Sequence, residues 1–261
     1  MSEERPLVLV VAGFDPTGGA GVLRDLATIT QIGLTCLPVV AAVTAQDESH
    51  FHGFEAMSPG LVVAQARLVL GGLRPGAVKI GMLGSLSNIE AVGEMIRNLK
   101  AKDDEIQRRL YVVADPLLLA STGGGLTDDL DLSAWRRILL PVTDVATPNV
   151  PEAEVLSGRP IHDRADMAAA AQSIGEPSGT AVVVKGGHLF GTHVEDVLWE
   201  PGGKVTVFKR RRLTGGVHGS GCTFSSTLAA RLALGSDVSE AVWMAGNAVV
   251  ARIRSVAQTG M

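Results

Sequence analysis

A glycine-rich turn that runs straight into a helix is how a chain assembles a site for an anion. Near the C-terminus, Gly219 and Gly221 flank Ser220, and Cys222 and Thr223 then open a run with helical character. In such a turn several N–H groups point one way and the helix dipole adds partial positive charge. The missing β-carbons let a phosphate approach closely. Cys222 puts a nucleophile-capable side chain at that mouth, where a helix start lowers a thiol's pKa and favours the thiolate. A lone cysteine is more often buried, but glycines on both sides predict an open site here. The chemistry indicated is reaction beside a phosphate.

Four other segments carry polar or glycine signals. AGFDPTGGAG, Ala12 to Gly21, has Asp15-Pro16 turning the chain before Gly18, Gly19 and Gly21. Its glycine spacing differs from a dinucleotide fingerprint, and no Gly-Lys-Ser/Thr closes it as a Walker loop. It serves equally as a tight packing turn or a substrate loop. VTAQD, Val43 to Asp47, offers Gln46, whose amide both donates and accepts and so matches a heteroaromatic edge such as an aminopyrimidine. TPNVPEAEVLSG, Thr147 to Gly158, presents Asn149 and Glu152. Both can reach a hydrated divalent cation. Both also suit the start of a helix, Asn149 as cap and Glu152 against the dipole, and on the residues alone capping prevails. VVVKGGH, Val182 to His188, ends a buried strand on Lys185. A lysine there is costly unless it meets an anion.

The elements that must position these residues alternate. Short β-branched runs at Leu7–Ala12, Leu37–Val43, Val78–Ile80, Tyr111–Ala114, Val145–Ala146 and Ala181–Val184 read as buried strands. Helical patterns lie between and after them: 21–32, 61–70, 88–99, 131–139, 152–156, 164–174, 222–234 and 238–253. A late antiparallel pair is expected at Val197–Trp199 and Val205–Phe208, around Pro201-Gly202-Gly203. Parallel strands need crossovers, and these helices supply them. The prediction is α/β: one doubly wound domain over residues 1–261, with helices on both faces of a mostly parallel sheet. The polar signals then fall at strand C-terminal ends, the edge where open α/β sheets bind ligands.

Composition narrows the function. The chain has 261 residues, 46% hydrophobic but only 4% aromatic, so the core is aliphatic. A net charge of −4 argues against a nucleic-acid surface. The one basic run, Lys209 to Arg212, reads as a solvated strand edge or flap. Cys36 and Cys222 have no metal or disulfide spacing, which fits a reducing cytoplasm. No apolar stretch approaches bilayer-spanning length, and the acidic N-terminus followed by a short strand is not a signal peptide.

AGFDPTGGAG, VTAQD, KIGML (Lys79 to Leu83), VADP, TPNVPEAE, VKGGH and HGSGCT occur in the order of the hydroxymethylpyrimidine/phosphomethylpyrimidine kinases, and from Leu7 to about Ala248 the chain resembles that family. The resemblance implies a ribokinase-like three-layer α/β/α fold. It also implies two ATP-dependent phosphorylations in thiamine biosynthesis, first of 4-amino-5-hydroxymethyl-2-methylpyrimidine and then of its monophosphate. Gln46, Gly13, Asp15, Ala20, Thr44 and Met82 match the pyrimidine pocket. Cys222 stands where sugar-kinase relatives have a catalytic aspartate; Gly219, Ser220 and Gly221 match the anion hole, and Lys185 a phosphate-side lysine. Asp115, Asn149, Lys185 and Gly187 match the nucleotide side. Asn149 and Glu152 match the Mg²⁺ rim through water. A homo-oligomer, in the simplest case a dimer, is expected.

The chain departs from the family pattern in places. Thr214-Gly215-Gly216-Val217 stands where a basic–amide pair is usual, and Ser121 to Gly124 where Lys-Ser-Gly-Asp is usual. These changes bear on the second phosphorylation. Glycines near Gly123 and Gly215 suggest lid hinges. Two alternatives differ in substrate or class: a pyridoxal kinase, and a non-catalytic pyrimidine sensor.

Overall fold

The structure, a computed structural model, describes residues 6–47, 50–104, 109–116 and 129–259. Among the described residues, nine strands form one sheet in the order β3-β2-β1-β4-β5-β6-β7-β8-β9. They are β1 (Leu7–Phe14), β2 (Thr35–Gln46), β3 (Phe51–Ala56), β4 (Ala77–Ile80), β5 (Tyr111–Ala114), β6 (Val145–Ala146), β7 (Ala181–Val184), β8 (His193–Glu200) and β9 (Lys204–Arg211). From β2 through β7 neighbours are parallel. β3, β8 and β9 add antiparallel margins.

Both faces are covered, as continuous apolar strands require. The helices are α1 (Gly21–Gln31), α2 (Pro59–Leu70), α3 (Leu86–Asp104), α4 (Asp129–Ala134), α5 (Val150–Ser157), α6 (Arg164–Gly175), α7 (Ser220–Ala233) and α8 (Val238–Thr259). Leu9, Val11, Val78 and Ile80 face a core shared with α2, α3, α5 and α6. Val8, Val10, Val113 and Val183 face the opposite core, shared with α1, α7 and α8. The period-2 alternation of each strand thus divides the aliphatic residues between two layers. Helix α7 is buried on nearly all sides from Cys222 to Ala230, so its start is fixed against the sheet. Among the described residues no helix is long and apolar enough to cross a membrane.

The α/β expectation holds, with three differences. The edge strand β3 was not foreseen: FHGFEA has no clean alternation and is largely solvent-facing. The helix expected to reach Leu139 ends at Ala134 and continues as a π-helical turn, Trp135–Leu139, and a 3₁₀ turn, Leu140–Val142. The run Lys209 to Arg212 is not simply solvated. Arg210 is buried on Asp196 at 2.7 Å and lies over the Trp243 ring, while Arg212 donates to the Gly187 and Gly191 carbonyls. The Ser121 to Gly124 segment, with the Gly123 hinge, lies outside the described residues. The Gly215 hinge position has φ +95, a conformation that favours glycine.

Candidate active site

The loop after β1 is built around one carboxylate. Asp15 accepts from Thr17 N and Thr17 Oγ1 through Oδ1, and from Ala20 N and His218 Nε2 through Oδ2, all at 2.9 Å. Burial opposes its charge, but the bonds from Thr17, His218 and Ala20 outweigh it and hold the carboxyl below its ordinary range. Asp15 is 2% exposed. The side chain thus shapes the loop that carries Gly13 and Ala20. Ala20 caps α1 in extended conformation. Gly21 follows with φ +58, and a β-carbon there would lie 2.1 Å from the Gly13 carbonyl oxygen.

The second glycine turn closes on the first. Gly219 caps α7 with φ +76, and a β-carbon on it would stand 1.9 Å from the Gly19 carbonyl oxygen. Arg24 donates to the Gly18 and Gly19 carbonyls, and Arg252 to that of His218. Two segments some two hundred residues apart thus become one surface. Ser220 N is taken by the Val217 carbonyl and Thr223 N by that of Gly219. By helix geometry the N–H groups of Gly221 and Cys222 come too early to find intrahelical acceptors. Beside this helix start, a β-carbon on Gly221 would lie 3.4 Å from both Asp115 Oδ2 and Lys185 Nζ.

Lys185 and Asp115 arrive from the ends of β7 and β5. Lys185 Nζ binds Asp115 Oδ1 at 2.7 Å; Thr147 donates to Oδ1 at 2.9 Å, and Ser225 to Oδ2 at 3.2 Å. The anion that the strand-end lysine requires is thus within the chain. Burial works against ionising Asp115, but Lys185 and Lys79 overcome it and hold the carboxyl low. Burial likewise works against the Lys185 charge, and Asp115 and Glu152 overcome it and raise its pKa.

Asn149 and Glu152 form a reciprocal capping box on α5: Glu152 N donates to Asn149 Oδ1 at 2.9 Å, and Asn149 N to Glu152 Oε2 at 2.8 Å. The capping reading is what the fold uses. Burial, with Asp115 adding to it, pushes the Glu152 carboxyl up to about 8, against the pull of Lys185. Among the described residues no three His, Cys, Asp or Glu side chains gather as a direct metal cage. One cap-engaged carboxyl beside Asp115 fits a cation that keeps its own waters and meets the protein through few oxygens.

Cys222 requires a correction. It is 4% exposed, not open. Burial drives its thiol up to about 11; Lys79 and a bond from Gly21 N pull it down, while Asp25 and Asp115 push it further up. At neutral pH it is a thiol, and the favourable helix start is overruled by desolvation.

Gly13, Thr44, Gln46 and Met82 lie at the β1–β2–β4 end of the rim. Gly13 pairs with Ala42 after a register shift, and a β-carbon on it would meet Met82 Sδ at 3.3 Å. Thr44 donates to the Phe14 carbonyl at 3.1 Å. Gln46 pairs with Phe51 across the β2–β3 ladder, and Phe51 packs on Ala42 and Met82. Gly187 lies in a 3₁₀ turn after Lys185, its carbonyl held by Arg212 at 2.8 Å. The residues missed from sequence are those that join segments: His218, Thr147, Ser225, Phe51, and the buried pair Lys79–Asp25. HGSGCT, KIGML and TPNVPEAE each contain one of them, but only tertiary contact reveals what they touch.

Comparison with known proteins follows this geometry. A family model described as phosphomethylpyrimidine kinase matches residues 15–261. The hydroxymethylpyrimidine/phosphomethylpyrimidine kinase of Rhizobium meliloti is 36% identical over 237 residues, covering 90% of this chain and 86% of the relative. The thiamine biosynthesis bifunctional protein ThiED of Geobacter sulfurreducens is 36% identical over 250 residues; the match covers 96% of this chain and 49% of that protein, so the chain spans about half its length. Among solved structures, phosphomethylpyrimidine kinase from Clostridium difficile superposes with TM-score 0.78 at 30% identity, over 96% of this chain and 100% of that one. Pyridoxal kinase of Bacillus subtilis in its ADP complex gives TM-score 0.81 at 30% identity, over 94% and 90%.

Proposed function

Because the chain belongs to the phosphomethylpyrimidine kinase family, we propose that it is an ATP-dependent kinase of 4-amino-5-hydroxymethyl-2-methylpyrimidine and of its monophosphate, acting in thiamine biosynthesis on a ribokinase-like fold. The observation that carries this reading is the closure of the Gly13–Gly21 loop on the Gly219–Cys222 turn, opposite Lys185 and Asp115. It joins a place for a flat ring to a place for a transferring phosphoryl group.

In this reading the ring lies by Gly13, Ala20, Thr44 and Met82, and the Gln46 amide reads its edge. The hydroxymethyl oxygen attacks the γ-phosphorus, the bond to the β-phosphate bridging oxygen breaks, and ADP leaves. The N–H groups of Gly221 and Cys222, with Lys185, stabilise the charge on the moving group. The transition state is loose, so positioning and electrostatics outweigh proton removal. A protonated Cys222 thiol is compatible with this, because the hydroxymethyl proton need not leave early. Mg²⁺, when bound with ATP, supplies charge neutralisation between the phosphates; Glu152 and Asp115 would hold it through its waters, with Asn149 fixing Glu152. Gly187 leaves the backbone approachable on the nucleotide side. A homodimer in the cytoplasm belongs to the same reading, and two free buried cysteines suit a reducing compartment.

The likeness to pyridoxal kinases favours pyridoxal as a second alcohol substrate. The non-catalytic sensor finds no support in a family of kinases. An ADP-release assay with the hydroxymethylpyrimidine, its monophosphate and pyridoxal separates the readings. Turnover of both pyrimidines supports the proposal; turnover of pyridoxal alone transfers the site to the vitamin B6 alcohol, and tight binding without turnover reinstates the sensor.

A further inference from the structure

Beneath the rim lies a second polar cluster to which the reaction above gives no part. Lys79 is wholly buried, with Nζ 2.8 Å from Asp25 Oδ2; Asp25, equally buried, accepts from Ser226 through Oδ1 at 2.6 Å. Val78 and Ile80 face the core of α2 to α6, so alternation turns Lys79 towards α1 and α7. Stability alone does not explain an ion pair there, since apolar replacements of such pairs are often neutral or stabilising.

Position gives the pair a direction. Strand β4 ends at Ile80, yet Lys79 Nζ reaches to 2.9 Å from where a β-carbon on Gly81 would stand, so the ammonium climbs to rim level. Asp25 hangs from α1 one turn beyond Gly21, and Ser226 from α7 one turn beyond Cys222. The positive end therefore lies towards the rim and the negative end towards the core. Cys222 registers the asymmetry: the downward pull of Lys79 on its thiol exceeds the upward push of Asp25.

We propose that the buried Lys79–Asp25 pair is a positioning device for phosphoryl transfer, its ammonium fixed under Cys222 and the start of α7 so that positive potential faces the transferring group. Ser226 and Asp25 hold the ammonium in place, and α7 carries both the tether and the anion site. The inference rests on the kinase reading for its rate consequences, and on geometry alone for its effect on Cys222.

The test uses Lys79→Met, Asp25→Asn and the double variant. Lys79→Met should lower kcat roughly ten- to thirtyfold, the order that one unit charge exerts across roughly 8–12 Å at an effective dielectric of about 20, with both KM values within about twofold. Asp25→Asn removes both the tether and the charge that keeps the buried ammonium protonated, and should lower kcat severalfold. The double variant should fold with a Tm no lower than the parent's and stay slow. Recovery of kcat together with Tm in the double variant would make the pair purely structural and overturn the proposal. A second readout needs no turnover: the pH dependence of Cys222 alkylation, separated from Cys36 by peptide mass spectrometry. Lys79→Met should move the thiol's apparent pKa up, and an unchanged or lowered value would overturn the proposal. A parent protein without turnover on any of the three alcohols defeats the kinase reading, while the alkylation result still decides this one.

Discussion

Replacing Gly221 by alanine separates stability from activity. The residue is the second of α7, and its φ lies outside the left-handed region. A methyl group there would rest 3.4 Å from Asp115 Oδ2 and Lys185 Nζ, an ordinary van der Waals distance, so the fold accepts it without strain. Alanine in place of glycine within a helix stabilises by about 0.5–1 kcal/mol, which for a domain of this size raises Tm by roughly 1–4 °C. The same methyl fills space beside the start of α7 next to Lys185 and Asp115. An oxygen of the transferring group must come within about 3 Å of the Gly221 and Cys222 N–H groups, and the methyl narrows the space left for it. The loss of one such donor in an anion hole costs about a hundred- to a thousandfold in kcat. Gly221→Ala should therefore unfold at or above the parent's Tm and lose two to three orders of magnitude in ADP release with the hydroxymethylpyrimidine. Retention of the parent's kcat/KM for ATP with the methyl in place would show that the α7 start is not where the phosphoryl group travels.

Four further perturbations probe the neighbouring parts. Gly219→Ala meets both a φ of +76 and the Gly19 carbonyl, whereas Gly18→Ala meets a φ of +70 in open space; urea unfolding should show the first costing well beyond the roughly 1–2 kcal/mol left-handed penalty and the second about that penalty alone. Glu152 binds its proton up to about pH 8 when folded but only to about 4.5 when unfolded, so its contribution to stability is present below 4.5 and is lost as pH rises through 8; Glu152→Gln should flatten that slope in metal-free thermal melts, and an unchanged slope would assign it elsewhere. Cys222→Ala should keep the fold and cut kcat, with an unchanged rate reducing the thiol to packing. Asp115→Asn frees Lys185 from its internal partner and should bind metal-free ATP more tightly than the parent by calorimetry while turning over more slowly.

What could be read in the sequence was local. Strands β5, β6 and β7 have the expected bounds because each is an apolar run stopped by a polar or proline residue, at Asp115, Pro148 and Lys185. Edge strand β3 is not legible because its ladder with β2 is made by backbone, while none of its residues is fully buried and FHGFEA carries no apolar–polar alternation. The π-helical turn escaped because a period of 3.6 cannot register a widened turn. The glycines of both loops were visible, but not that Gly19 and Gly219 exist for each other. The thiol of Cys222 was misjudged for the same reason. Its helix start is a sequence feature, whereas burial by the sheet and the nearness of Asp25 and Asp115 are tertiary facts.

The site's charges follow one logic once those contacts are known. Lys79 is matched by Asp25 and Lys185 by Asp115, so the ligand-free rim holds its cations close to neutrality and the buried charges remain tolerable. An arriving phosphate finds the Lys185 ammonium already claimed at 2.7 Å. It can gain that charge only by loosening Asp115 or by bringing a positive charge that Asp115 and Glu152 can turn to. On the proposed kinase reading, polyphosphate and cation are favoured together over either alone, and an anion without a cation meets the ionised Asp115 beside the hole. On the same reading, the glycines at 219 and 221 leave room for the transfer, and the carboxyls beside them favour a nucleotide that brings its metal.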